Sequence, residues 1–245
     1  MCGICNLAIV PVRSESSDRS EIVTQLLFGE HIEILERQNQ WARIKIQFDD
    51  YEGWVDSKQY QVISEANYNQ LSKEAIILNA DLIDYITAPD NLLLPIPLGA
   101  SLTFLNNSEI NTSNFDFEGT KTSGVKPKSA LINTAFMYLN APYLWGGKTP
   151  FGIDCSGFTQ MVYKLNGYKI HRDASQQALD GEPLSFIEES EPGDLAFFDN
   201  DEGNINHVGI IMDNNYIIHA SGKVRIDRLD HLGIYNPELN KHTHK

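Results

Sequence analysis

The stretch YLWGGKTPFGIDCSGFTQMVYKLNG, residues 143–167, sets a cysteine between an aspartate and a serine immediately ahead of an amphipathic run. Phe158, Met161, Val162 and Leu165 recur at helical spacing, and Asn166-Gly167 is a suitable C-cap, so a helix is expected to open at Cys155. A thiol there lies among unpaired amide hydrogens at the positive end of the helix dipole, which favours the thiolate. A neighbouring imidazolium lowers its pKa further, and the pair forms an activated nucleophile with a histidine to protonate a leaving amine. The competing reading is a buried, inert thiol. Against it stand the polar neighbours Asp154 and Ser156, and Gly157, a poor helix former that permits close approach of another chain.

Downstream, EPGDLAFFD, HVGIIMDNNYIIHAS and KVRIDRL read as alternating apolar strands, with Asp213–Asn215 as a hairpin turn. Pairing about that turn to a constant sum near 427 sets His207 opposite position 220 and almost opposite His219. Two histidines at one end of a hairpin suit a base and the group that orients it, whereas His31, His171, His231 and His242 are expected to have no catalytic part. Upstream, Ala130, Ile132, Ala135, Phe136 and Leu139 form one helical face after Pro127. Residues 126–245 therefore read as helices followed by an antiparallel sheet, an α+β arrangement.

Residues 1–63 read as all-β. Ile32, Ile34, Trp41, Ile44 and Ile46 alternate with polar residues, with turns at Gly29-Glu30, Gln38-Asn39 and Asp49-Asp50, and five short strands suggest a small barrel. Residues 64–125 carry prolines and a glycine that exclude a long helix, and a second small β unit or a linker is expected there. NNSEINTSNFDFEGTKTSG within it reads as turn, short strand, turn.

The chain has 245 residues, 42% hydrophobic and 21% charged, as in ordinary globular proteins. Its 33 acidic and 19 basic residues give a net charge of −14, a field that repels nucleic acid and anionic membranes, so neither is an expected partner. No apolar run suits a membrane helix, and MCGICNLAIVPVRSESSDRS lacks a basic leader and cleavage site, so a cytoplasmic location is expected. Cys2, Cys5 and Cys155 make no disulfide framework, and the Cys2/Cys5 spacing lacks the second pair of a zinc or redox motif. No metal or other cofactor is expected, and the terminal His242 and His244 are expected to fray.

YLWGGKTPFGIDCSGF, IHRDASQQ, EPGDLAFF and NHVGIIMDNNYIIHAS together resemble the NlpC-type cell-wall cysteine peptidases, a papain-like family. The resemblance covers about residues 126–235 and implies Cys155 as nucleophile, His207 as base, His219 as the orienting third residue and Tyr143 as a hydroxyl that helps hold the oxyanion. SEIVTQLLFGEHIEIL and DDYEGWV resemble the bacterial SH3-like module of one branch of that family. Related enzymes carry a second SH3-like domain over the region matching 64–125. That branch cuts the γ-D-glutamyl–L-diamino-acid bond (diaminopimelate or lysine) in murein peptides with a free N-terminal L-Ala. The resemblance implies that Tyr51 and Asp154 contact the substrate amine and that Ser156 and Ser175 contact the γ-D-Glu residue. Glu30 is a further candidate carboxylate for the amine, and Arg172 for a substrate carboxylate. His171 departs from the family, which has proline before RDA. The expected activity is a metal-free cysteine endopeptidase for cell-wall peptide recycling. A papain-like amidase, transglutaminase or acyltransferase, and a non-catalytic peptidoglycan-binding protein, are the alternatives.

Overall fold

The computed structural model describes residues 1–88, 91–106, 110, 114–184 and 186–244. The chain divides into two compact units, Met1–Val125 and the part from Lys126 onward. None of the described helices is long and apolar enough to cross a membrane.

In the first unit, strands β1 (Cys2–Ile4), β2 (Ile9–Arg13), β3 (Ile22–Leu27), β4 (His31–Gln38), β5 (Trp41–Ile46), β6 (Glu52–Asp56) and β7 (Gln61–Ile63) form one antiparallel sheet, in the order β3-β2-β6-β5-β4-β1-β7. The alternation in β4 and β5 buries Ile32, Ile34, Ile44 and Ile46 in a core with Val10, Val12, Leu26 and Val55. Asn39 and Asp50 take positive φ of 54° and 60° at two of the three turns read from sequence. Two strands exceed the expected five: β1 lies between β4 and β7, and the shortness of both hid them. Cys2 and Cys5 are consequently buried, and Cys5 belongs to the barrel core.

After the barrel come α1 (Glu65–Leu71), capped by the Ser64 hydroxyl on the amide of Asn67, and strands β8 (Ile77–Asn79), β9 (Ile83–Thr87), β10 (Leu93–Pro97) and β11 (Lys121–Ser123). These strands pair as β9–β10 and β8–β11. Ile86, Ile96, Leu102, Phe104 and Phe117 share a second core with Ile4 and Phe28 of the barrel. Gly29 sits at the junction with φ of 76°, and a Cβ there would lie 1.9 Å from the Ser101 carbonyl oxygen, so a side chain is excluded. The turn–strand–turn reading of residues 106–124 falls partly outside the described residues.

The second unit contains α2 (Ala130–Phe136), the short pair β12 (Lys148–Thr149) and β13 (Gly152–Ile153), α3 (Cys155–Leu165) and α4 (Ala174–Gln177). Its sheet follows in chain order: β14 (Leu195–Asp199), β15 (Ile205–Met212), β16 (Tyr216–Ser221), β17 (Lys223–Asp230), β18 (Gly233–Asn236) and β19 (Lys241–His244). Helix α3 is buried along most of its length and packs on β15 and β16, which explains its apolar stripe. α2 is shorter than its pattern suggests, ending before Asn140, which takes φ of 66°. The expected frayed tail is corrected: residues 241–244 pair with β18 as an ordered strand.

Candidate active site

The site is built from the N-terminus of α3 and the ends of β15, β16, β17 and β19. Asp154 caps α3 from an extended backbone, its Oδ1 accepting the amide of Gly157 at 2.7 Å. Its other oxygen accepts the amide of Gly146 at 2.7 Å, and Arg172 grips both oxygens, at 3.0 and 2.6 Å. Arg172 is 1% exposed and also donates to the Ser156 hydroxyl at 2.9 Å. A guanidinium committed bidentately to a buried carboxylate anchors the 171–173 loop to the start of α3. The buried hydroxyl of Ser156 turns to Arg172 and Asp154. Asp154 serves five donors in all, so any substrate amine must share oxygens already in use.

Gly157 has the reason the sequence suggested. A Cβ at this position would meet the Gly147 carbonyl oxygen at 2.3 Å and Asp154 Oδ1 at 2.9 Å. The glycine-rich approach and the helix start are packed backbone on backbone, which fixes the nucleophile's position. The proline missing at His171 is replaced by hydrogen bonds: its amide donates to Asp180 at 2.9 Å, and its carbonyl accepts Gln177 Nε2 at 2.8 Å.

Cys155 is 6% exposed, beside Ala174 and Val208, with the amides of Val208 and Ser156 directed at its sulfur. Burial pushes the thiol up to about 11 and the charge of Asp154 adds to this, while those amides and Arg172 pull the other way. Removal from water thus works against the thiolate that the helix amides favour, and on balance raises the thiol.

Val208, whose amide reaches the sulfur, is peptide-bonded to His207. The β15–β16 ladder runs from Met212↔Tyr216 to Gly209↔His219, a constant sum of 428 rather than 427, so His207 lies beyond the last pair. It shares a face with Gly209, and its ring therefore meets His219 diagonally: His207 Nε2 and His219 Nδ1 are 2.8 Å apart. The far nitrogen of His219 is 3.1 Å from Asp227 Oδ2. Asp227, which the sequence reading missed, is also held by Arg225 at 2.7 and 3.0 Å. Burial works against its charge, but the bonds from His219 and Arg225 win and hold its carboxyl below the usual range.

These contacts dictate where the protons sit. An ionised carboxylate only accepts, so His219 carries its hydrogen on Nε2 and accepts at Nδ1. His207 must then donate from Nε2, which leaves its Nδ1 as a bare lone pair, the form a general base needs. Burial, reinforced by His244 and His219, presses His207 down to about 2, so the resting imidazole is neutral. The phenol of Tyr143 is half-buried and kept protonated, pushed up to about 12 by burial and then by Cys155 and Asp154, so it remains a donor.

Ser175 is exposed on α4, next to the Ala174 that packs on Cys155. Tyr51 packs against the barrel core of the first unit. Glu30 is buried, and its carboxylate accepts the amide of Leu27 at 2.9 Å.

His244, on the tail strand, stacks on His207 with ring centroids 3.9 Å apart and planes 18° from parallel. His207, His219 and His244 bring their nitrogens within 4.8 Å of one another, a composition suited to a metal. The orientation is not suited to one. Imidazole lone pairs lie in the ring plane, and two parallel stacked rings cannot aim theirs at one ion at about 2.1 Å.

A buried thiol at a helix N-terminus, one peptide unit from an imidazole oriented through a second histidine and a carboxylate, on helices backed by an antiparallel sheet, defines a papain-like cysteine peptidase. Residues 140–242 match the NlpC/P60 family, and residues 12–59 match the bacterial dipeptidyl-peptidase Sh3 domain. A γ-D-glutamyl-L-lysine dipeptidyl-peptidase of Bacillus subtilis (strain 168) is 30% identical over 216 residues, covering 81% of this chain and 72% of that protein. Dipeptidyl-peptidase 6 of Lysinibacillus sphaericus is 26% identical, with 89% and 88% covered. A crystal structure of an NlpC/P60 family protein from Bacillus cereus superposes with a TM-score of 0.80 at 21% identity, covering 94% of this chain and 95% of that one. The chain belongs to the NlpC/P60 family and is a cysteine peptidase with an N-terminal SH3-like domain.

Proposed function

We propose that this peptidase hydrolyses the γ-D-glutamyl–L-diamino-acid bond, to lysine or diaminopimelate, in murein-derived peptides that begin with a free L-Ala. The observation that carries the chemistry is the hydrogen-bonded line Asp227–His219–His207, whose end residue is followed in the chain by Val208, the residue that directs its backbone amide at the Cys155 sulfur. Support for the substrate comes from the relatives named γ-D-glutamyl-L-lysine dipeptidyl-peptidase and from the matched Sh3 domain.

In this reading His207 Nδ1 takes the thiol proton as Cys155 Sγ attacks the γ-carbonyl, so charge appears only during attack. The imidazolium is stabilised through His219 by Asp227. Tyr143 and the amide of Cys155 hold the oxyanion. His207 then gives its proton to the departing amine, and water hydrolyses the thioester with His207 again as base. Ser175 contacts the γ-D-Glu portion. Asp154, acting through its charge, favours an ammonium over an amide at the alanine end, which selects peptides already trimmed from the wall. Recycling of such peptides in the cytoplasm belongs to the same reading and is checked by cell fractionation.

The deciding experiment is incubation with L-Ala-γ-D-Glu-diaminopimelate. Release of L-Ala-D-Glu, abolished by Cys155→Ala and by N-acetylation of the substrate, is expected. Equal cleavage of the acetylated peptide would refute the free-amine requirement, and no cleavage of any such peptide would refute the substrate.

A further inference from the structure

Beside the reactive pair lies a pocket of about 210 Å³ walled by Tyr143, Asn206, His207, Ser221, Gly222 and His244. At about 30 Å³ per water of liquid volume it has room for roughly seven to ten non-hydrogen atoms, the size of one amino acid. No residue of α3 or α4 lines it. The acyl part of a substrate is bonded to the Cys155 sulfur after attack, so Ser175 and the neighbouring face of α4 are left for that part. The departing part has a different requirement. When the tetrahedral intermediate collapses, the C–N bond breaks with its electron pair remaining on nitrogen, and the proton on His207 Nδ1 moves to that nitrogen. Neutral amine and thioester result. The departing nitrogen must therefore lie at His207, and whatever it carries must fill the space His207 borders.

We propose that this pocket is the subsite for the departing diamino acid, with His244 as the wall that sets its specificity. The proposal rests on the substrate reading given above. His244 is a built part of the pocket: β19 pairs with β18, its Nδ1 meets the Thr243 hydroxyl at 3.0 Å, and its ring lies parallel over His207. Burial, then the neighbouring His219, pushes its pKa down to about 4, so it offers a neutral plate and places no charge beside an imidazole that must become positive. Asn206 and Ser221, neither of them charged, also border it, and Tyr143 supplies an edge shared with the proposed oxyanion position. A lining of neutral donors and acceptors fits a compact residue carrying both amine and carboxylate, and it rejects a bulky apolar one, whose burial would leave those groups unpaired.

The test holds the acyl group constant as L-Ala-γ-D-Glu and varies what leaves: L-lysine from the peptide, or a small thiol from the γ-thioester. A thiol leaves without the proton from His207 and does not fill the pocket. In His244→Ala the ratio of kcat/KM for peptide to that for thioester is expected to fall at least tenfold, and His244→Phe, which keeps the plate but not the nitrogens, is expected to fall between. Equal losses on both substrates would make His244 a mere support of His207, and no loss on either would remove it from the site; both overturn the proposal. If the wild-type chain cleaves neither compound, the substrate reading fails by itself. The subsite is then decided by titrating L-lysine and diaminopimelate onto the full-length Cys155→Ser protein: movement of the His244 ring resonances supports it, and unmoved resonances overturn it.

Discussion

Asp227 touches neither the thiol nor the base, yet the proton arrangement of both histidines depends on it, and Asp227→Asn separates its charge from its hydrogen bond. Oδ2 of Asp227 receives two donors, His219 Nε2 at 3.1 Å and Arg225 Nε at 2.7 Å, while Oδ1 receives only Arg225 Nη2. An asparagine places its carbonyl oxygen where two donors converge and sets its amide against the single Nη2. Arg225 can relieve that opposition because its Nη1 already holds Glu238 at 3.0 Å. The tautomers of His219 and His207 are then preserved and only the negative charge is lost. Hydrogen bonds of 2.8 and 3.1 Å, with one imidazole between them, put that charge about 8 Å from His207. At an effective dielectric of about 20, a unit charge at that distance stabilises the imidazolium by about 2 kcal/mol, or roughly 30-fold in rate. Initial rates on the L-Ala-γ-D-Glu-L-Lys peptide should show kcat lowered between about 10- and 100-fold, with KM changed little. A kcat within twofold of wild type would show that the carboxylate does not act on the histidines. A loss of about 10⁴-fold in a protein that unfolds normally would also refute the reasoning, because it would mean that the protons had reversed direction along the line.

Gly157→Ala should lower both stability and activity although alanine is the better helix former by about 1 kcal/mol, since its methyl collides with the Gly147 carbonyl; urea unfolding and rate measurements check this. Arg172→Ala leaves a buried carboxylate without its partner and should cost about 3–5 kcal/mol in the same unfolding assay, with activity lost through the displaced helix start. His207 and His244 have folded pKa values pressed to about 2 and about 4, below the 6.5 of the unfolded chain, so the unfolded state binds more protons as the pH falls below 6.5. Stability should therefore decline from pH 7 to pH 4.5, and His244→Phe should remove up to one proton, about 1.4 kcal/mol per pH unit, from that slope. With the thiol held up to about 11, alkylation of Cys155 by iodoacetamide in the free enzyme, read by peptide mass spectrometry, should rise roughly tenfold per pH unit between 7 and 9.

How far the sequence reveals this molecule depends on how local each signal is. Helix α3 is legible because cap, stripe and terminator lie within fifteen residues, and each acts through its immediate neighbours: Asp154 on the Gly157 amide, the apolar stripe on the sheet, Asn166-Gly167 at the end. The β15–β16 hairpin is legible because Asp213–Asn215 marks its turn, but a sum of 427 sets His207 opposite position 220 and so on the other face from His219; the true register, one residue away, pairs His219 with Gly209 and brings it to the face of His207. Asp227 carried a signal of the same kind. The turn at Gly222 pairs His219 with Arg225, and two residues further on the same face is Asp227, within diagonal reach of a long side chain. Extending the pairing rule by one more hairpin finds it. His244 carries no such signal, since its place depends on β18 and β19 pairing through an irregular register across a weakly patterned tail. The strands β1 and β7 were hidden for the related reason that three residues cannot show a period.

The protonation state of the site is illegible for a different reason. Sequence places a cysteine at a helix N-terminus and histidines nearby, and both features argue for a thiolate. What decides is the water removed from around them, a quantity set by every neighbour at once. Here Ala174, Val208, Phe198 and His244 pack around the thiol and imidazole, and dryness raises one group and lowers the other. A neutral pair in such a site has a functional consequence. Charge separation is deferred until a carbonyl can take the sulfur's electrons, and the Asp227 charge, held by Arg225 and relayed through His219, stabilises the imidazolium then formed. Dryness alone would make the pair inert, and the carboxylate alone would act on nothing. The line from Asp227 to His207 makes a dry, neutral thiol–imidazole pair compatible with catalysis.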